Sequence, residues 1–325
     1  MSLTDTQNRV LEEVIEGLQD TPKHISSKFF YNKVGDELFE RIMELPEYYL
    51  TRSEYEILGN QKEEILQSIG LNNIESIIEL GAGNAFKTKI LLKYLLEQNS
   101  DFKFQPIDIS QNALNKLGND LKVEMPNLNF SPLQGEYFEV LKHLKSEKKQ
   151  KSKLILFLGS SIGNLSNSQT NSFLKALYES LNPGDFVLIG FDLTKHPQTI
   201  LDAYNDKAGV TRAFNLNVLK RFNDELGADF NLENFDHFPA YNPIEKSAKS
   251  YIVSLKNQTV NFKSADEKID FKQNEGWTNL CNFLEQPIPV KSFPYANKGA
   301  YNYRSRAWQS IKLFIYRNFL KPNRF

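Results

Sequence analysis

The stretch IIELGAGNAFKTKILL, residues 77–92, decides the fold. An apolar run ends in an acid and two glycines and passes directly into a segment whose apolar residues recur at helical spacing. A run that short and that apolar reads as a strand buried on both faces. Glycines at 81 and 83 let the chain turn sharply out of the strand and bring its backbone close to a ligand.

Working outward, the same alternation repeats. ESIIELG, FKFQPIDIS, KLILFLGSS and DFVLIGFDL are short apolar runs, separated by the helical segments FKTKILLKYLLEQ, QNALNKLGNDLKVE and NSFLKALYESL. Strands alternating with helices predict a parallel sheet covered on both faces, so residues 61–194 read as a doubly wound α/β domain. Upstream, TQNRVLEEVIEGLQ, DELFERIMELPEYY (as far as Pro46) and TRSEYEILGNQKEEILQSI read as helices. The last opens with Thr51 and Glu54 in a capping-box arrangement. Downstream, AFNLNVLKRFNDEL reads as a helix, and FDHFPAYNPIEKSAKSYIVSLKNQTVNF as paired strands around a turn.

Ligands of such sheets sit beyond the carboxyl ends of the strands, so the residues just after each run carry the information. Gly81 and Gly83 follow the first strand. The third glycine of a dinucleotide fingerprint is missing, because Phe86 stands in its place. The second strand ends in PIDIS, which sets Asp108 where an acid can accept hydrogen bonds from a ribose diol. The third, NFSPLQGEYF, offers Glu136 and Tyr137 at the same edge. A glycine turn followed by acids after successive strands suits a nucleoside carried without a pyrophosphate, and S-adenosylmethionine fits that description.

KFFYNKVGDELFERIMELPEYYLTRSEYEIL, ELGAGNAFKTKILL, PIDIS, FLGSSIGNLS, IGFDLTK and AYNDKAGVTRAFNLNVLKRFNDELGADF together resemble the histidine Nα-methyltransferases of ergothioneine biosynthesis, over about residues 22–275. LPEYYLTRSE and LGSSIGN are the most specific strings. The resemblance implies a Rossmann-like methyltransferase sheet with a second α+β domain that covers the substrate, here residues 8–60 and 195–275. It implies stepwise transfer of three methyl groups from S-adenosylmethionine to the α-amine of histidine, giving the betaine hercynine, without a metal. Such a transfer is an in-line displacement at a sulfonium, in which positioning and exclusion of water count for more than covalent catalysis. By motif, Tyr31, Gly81, Gly83, Lys87 and Asp108 would hold the cofactor, with Glu136 and Tyr137 near the adenine. Asn164 and Tyr204 would bind the acceptor's carboxylate and Tyr48 would face the imidazole. Gly159 would offer a carbonyl near the amine, so that Tyr31, Gly159 and Asn164 surround the reacting atoms.

The resemblance stops near Glu275. Family members continue with a segment of the type I-H-x-E-x-S-x-K-Y, whose Glu and Ser grip the imidazole, and then with the last strands of the sheet. This chain instead reads GWTNLCNFLEQPIPVKSFPYAN and on to Phe325, a stretch similar to the closing segment of some sulfotransferases. From Gly276 onward there are eight Lys or Arg and one acid, Glu285, so the segment is strongly basic and the body acidic. Several readings of it stand open. It changes acceptor choice, it leaves an impaired S-adenosylmethionine-binding homologue, or its basic aromatic stretch RSRAWQSIKLFIYRNFLK docks on a partner or an anionic surface. The plain alternative is that Trp308, Ile311, Phe314 and Ile315 pack on the body. Another amino acid as acceptor is the alternative to histidine.

Composition bounds the rest. At 325 residues, 40% hydrophobic and 24% charged, the chain has the balance of a globular protein, which argues against disorder or a fibrous repeat. No apolar run reaches bilayer length and the N-terminus lacks the pattern of a signal peptide, so a cytoplasmic monomer is expected. With Cys281 alone no internal disulfide can form. His24, His143, His196 and His237 never approach metal-ligand spacing, so no metal is expected. An acidic body disfavours nucleic acid as a partner.

Overall fold

The computed structural model describes residues 4–70, 74–136, 139–140 and 152–272. The basic C-terminal segment and its residues named above lie outside the described residues, as does Tyr137.

Four parallel strands build the centre of the sheet: β1 (Ile74–Leu80), β2 (Lys103–Asp108), β5 (Ser152–Phe157) and β6 (Phe186–Ile189). The order is β3-β2-β1-β5-β6, with β3 (Asn129–Phe130) and β4 (Leu133–Gln134) both paired to β2. Among the described residues every pairing in this sheet is parallel. The expected doubly wound, Rossmann-like sheet is therefore present. The order reverses between β1 and β5, which makes the carboxyl ends of these two strands the natural ligand crevice.

One expectation needs correction in detail. The third predicted strand is split, because β3 pairs with Lys103 and Phe104 while β4 pairs with Ile107 and Asp108. The gap falls where Pro106 and Pro132 lie, and neither proline has an N–H to give to a ladder.

The helices that cover the sheet are α4 (Thr88–Glu97), α5 (Gln111–Glu124) and α6 (Asn167–Ser180). Their apolar faces meet the sheet on its two sides. Leu91, Leu92, Leu95, Leu117 and Leu121 pack with Ile77, Phe104 and Leu154, whereas Phe173 and Leu177 pack with Ile78, Ile107, Ile155 and Phe157. The alternation Ile77/Ile78 and Leu154/Ile155 between the two cores is the period-two geometry of a strand buried on both faces. At about 25 cal/mol per Å² of apolar surface, each of these fully buried side chains stabilises the fold by roughly 1.5–3 kcal/mol.

A second layer is built from α1 (Asp5–Gln19), α2 (Lys33–Met43), α7 (Pro197–Ala203), α8 (Val210–Leu226) and the first turn of α3 (Tyr49–Ile69), whose later residues Leu58 and Leu66 pack instead in the sheet's core with Ile77 and Leu91. It also includes the antiparallel hairpin of β7 (Phe235–Asn242) and β8 (Ser247–Ser254), as the alternating sequence predicted. A short pair, β9 (Gln258–Phe262) and β10 (Glu267–Phe271), follows. Polar anchors set the layer. Asn32 caps α2 by accepting from Gly35 N at 2.8 Å, and the same oxygen accepts from Asn217 Nδ2 on α8 at 2.9 Å. Asp206 accepts from the N–H groups of Val210 and Thr211 at 2.8 and 2.7 Å, closing the start of α8. Its carboxyl is held below the usual range: burial works against the charge, but the hydrogen bonds from Thr211 and Val210 outweigh it.

The capping box expected at Thr51 and Glu54 is not formed. Helix α3 begins at Tyr49, with Tyr48 at the N-cap and no side-chain cap, and Thr51 is buried in its first turn. Because the helix starts two residues before Thr51, that residue falls inside it and Glu54 is free to point elsewhere.

Candidate active site at the sheet's switch point

The turn after β1 carries three residues with left-handed backbone: Gly81 (φ 72°), Gly83 (φ 51°) and Ala85 (φ 49°). It is drawn over the end of β2, since Gly81 N donates to Ile107 O at 2.7 Å. Gly83 N donates to Asp108 Oδ2 at 3.0 Å, and Ser110 N donates to the other oxygen at 2.9 Å. Burial raises the Asp108 carboxyl above its ordinary range, against the hydrogen bonds from Ser110 and Gly83 that favour the ion. A Cβ on Gly83 would meet nothing within 4 Å, so open space flanks the turn beside this carboxylate.

The second layer reaches this point through α2. Asp36, in its first turn, accepts from Ser110 Oγ at 2.7 Å. Tyr31, just before α2, packs edge-on against Phe39 and Phe214 with ring centroids 5.6 and 5.8 Å apart. Its phenol is held neutral far above the normal range, by burial first and then by the charges of Asp108 and Asp36 and by Tyr204. Tyr31 and Asp108 are thereby placed in one neighbourhood. Tyr48 is buried and stands edge-on to Tyr204, 6.2 Å between centroids, and both phenols are likewise raised, chiefly by burial. Tyr49 donates to Asp192 Oδ2 at 2.5 Å, from the stretch that follows β6.

After β5 the chain turns through Gly159 (φ 77°) and Ser160 (φ 56°) into a short 3₁₀ turn, Ser161–Asn164. Gly159 N donates to both oxygens of Glu54, at 2.9 and 2.8 Å. Lys87, at the start of α4, forms an ion pair with the same carboxylate. Glu79, near the end of β1, accepts from Thr88 Oγ1 at 2.6 Å. Its other oxygen is buried without a hydrogen-bond partner, and burial lifts the carboxyl to about 7.

Three groupings of the sequence-predicted residues follow. Gly81, Gly83, Asp108 and Tyr31 surround the β1–β2 side, and Tyr48 with Tyr204 forms an aromatic pair. Lys87 and Gly159 meet through Glu54. Asn164 lies exposed at the end of its turn. Glu136 is also more outlying, with its side chain 55% exposed and paired at 3.1 Å to Lys28, which reaches on to Glu13 of α1. Glu54, Asp36 and Asp192 were missed from the sequence, because each comes from a helix or an irregular segment that only tertiary packing brings here.

Acids outnumber bases in this crevice: Asp36, Glu54, Glu79, Asp108 and Asp192 against Lys87, paired to Glu54, and Lys195, paired to Asp192. A cleft of that sign favours cations, of which a sulfonium is one. The room beside Gly83, the backbone-oriented Asp108 and the orphaned oxygen of Glu79 fit a nucleoside cofactor with polar groups at both ends. Among the described residues no group of three or more His, Cys, Asp or Glu is arranged to hold a metal ion, and no helix is long and apolar enough to cross a membrane.

Residues 10–279 match the family described as histidine-specific methyltransferase, SAM-dependent. The chain is 36% identical over 263 residues to histidine N-alpha-methyltransferase of Mycolicibacterium smegmatis, covering 81% of this chain and 80% of that protein. It is 36% identical over 278 residues to the protein of the same name from Mycobacterium tuberculosis, covering 85% of each. With ergothioneine biosynthesis protein 1 of Neurospora crassa it shares 37% identity over 213 residues, 64% of this chain and 24% of that longer protein.

Proposed function

Because the chain belongs to the SAM-dependent, histidine-specific methyltransferase family, we propose that it transfers methyl groups from S-adenosylmethionine to the α-amine of L-histidine, as a step of ergothioneine biosynthesis. The observation that carries the reading is the convergence of the Gly81–Gly83 turn, Asp108, Lys87 and Gly159 at the carboxyl ends of β1, β2 and β5, under an acid-rich aromatic layer. Bound there, the cofactor supplies an electrophilic methyl group on a sulfonium.

The chain's own residues bind, orient and exclude water. Asp108, aimed by two backbone N–H groups, accepts the ribose hydroxyls. Glu136 and Tyr137 flank the adenine, and Lys87 offers its ammonium to the methionyl carboxylate. Tyr31, Tyr48 and Tyr204 stay protonated at any physiological pH, so they act as hydrogen-bond donors and apolar walls and not as bases. Tyr204 and Asn164 hold the acceptor's carboxylate, and Tyr48 faces its side chain. The carbonyl of Gly159 orients the amine lone pair toward the methyl carbon. Residues 61–194 then serve as the cofactor domain, and residues 8–60 with 195–275 as the acceptor domain.

Calorimetric titration of histidine into protein saturated with S-adenosylhomocysteine tests the assignment. Saturable histidine binding, weakened in Tyr204→Phe, is the expected outcome. Cofactor binding with no histidine binding would move the acceptor to another amino acid.

A further inference from the structure

We propose that Glu54 is a positioning residue of the cofactor site: its carboxylate fixes the Lys87 ammonium and the Gly159 peptide in place, and residue 190 is glycine because that carboxylate fills the space of a side chain there. The inference rests on the reading that Lys87 and Gly159 face the cofactor and the acceptor.

Glu54 projects from the second turn of α3 and gathers groups that follow three strands. It pairs with Lys87 after β1 and accepts from Gly159 N after β5. After β6 it lies against Gly190, where a Cβ would stand 1.8 Å from Glu54 Oε1 and 3.0 Å from its carboxyl carbon. Gly190 is not among the glycines with left-handed backbone. Its lack of a side chain therefore answers to the carboxylate beside it and not to backbone conformation. The side chains of Lys87 and Glu54 are only 14% and 16% exposed. A lysine ammonium so enclosed needs a counter-charge, and without one it would swing toward water. Held by Glu54, Lys87 keeps two of its three N–H donors for another acceptor. Glu54 does not add positive charge to the site. It gives direction to the charge already there, and it ties the loop that carries Lys87 to the loop that carries Gly159.

The test compares two ligands on the full chain. S-adenosylhomocysteine has the amino-acid carboxylate that corresponds to the methionyl one; 5′-methylthioadenosine is a thioether of the same nucleoside without it. Glu54→Gln removes the charge at constant shape, and Gly190→Ala displaces the carboxylate without changing its chemistry. Each variant is expected to bind S-adenosylhomocysteine about tenfold more weakly, the loss typical of one charge-assisted hydrogen bond, with methylthioadenosine affinity unchanged. In a Lys87→Met background Glu54→Gln should add no further loss. Unchanged or tighter S-adenosylhomocysteine binding in Glu54→Gln, or equal weakening of both ligands, would overturn the proposal. Failure of the wild-type protein to bind either ligand would overturn the cofactor reading and the inference with it.

Discussion

Removing the Asp108 carboxylate should weaken cofactor binding directly. The side chain is aimed by Gly83 N at 3.0 Å and Ser110 N at 2.9 Å, one on each oxygen, which leaves lone pairs for two hydroxyl donors. Hydrogen bonds to a charged group contribute about 1.5–3 kcal/mol each. Losing two at the lower figure costs about 3 kcal/mol, or roughly a hundredfold in Kd. Asp108→Ala should therefore raise the Kd for S-adenosylhomocysteine about a hundredfold by calorimetry. Asp108→Asn, which keeps one accepting oxygen, should fall between. Burial raises the folded-state carboxyl of Asp108, so it takes up a proton at higher pH than a free aspartate. Wild-type cofactor affinity should accordingly fall as pH is lowered into that range, and the Ala variant should lack this dependence. A Kd within threefold of wild type would remove Asp108 from the ribose role and refute the reasoning.

Further outcomes follow from the same geometry. Tyr204→Phe and Asn164→Ala should weaken histidine more than S-adenosylhomocysteine in paired titrations; equal loss of both would mean general damage. Glu79 titrates at about 7 in the folded protein, against an ordinary 4.5, because it is buried. The folded state thus binds the extra proton, and stability falls as pH rises from 4.5 to 7, by about 3 kcal/mol in all. The Tm of Glu79→Gln should gain on wild type between pH 5 and pH 8, and a constant gap would contradict this. Asp206 is the reverse case, with its carboxyl held low by the N–H groups that open α8. Asp206→Ala should lower stability by about 1–2 kcal/mol in urea unfolding at pH 7. The loss should shrink as pH falls through the folded carboxyl's range.

Much of the sheet was legible because its signals are local. Ile77 with Ile78, and Leu154 with Ile155, sit in short apolar runs bounded by turn residues, the pattern of a strand covered on two sides. Gly81, Gly83 and Asp108 were legible for a related reason, since a turn after a strand constrains its own residues. The prolines at 106 and 132 gave a readable warning that the third strand would be broken. Glu54 was not legible. Its spacing from Thr51 imitated a capping box, and nothing local says that α3 begins two residues before Thr51 and turns Glu54 toward Lys87 and Gly159. Asp36 and Asp192 share that difficulty, because their partners, Ser110 and Tyr49, lie 74 and 143 residues away. Gly190 held a signal that could have been used: a glycine directly after an apolar strand, in line with Gly81 and Gly159, marks a place where something approaches the backbone closely.

The central claim is methyl transfer to the α-amine of histidine. Its most direct test is to incubate the purified protein with methyl-labelled S-adenosylmethionine and L-histidine and to follow the products by mass spectrometry with fragmentation. The account predicts stepwise appearance of methylated histidine, ending in the betaine, with every label on the α-nitrogen and none on the ring. Cofactor binding without label in histidine, or label on the imidazole, would contradict it.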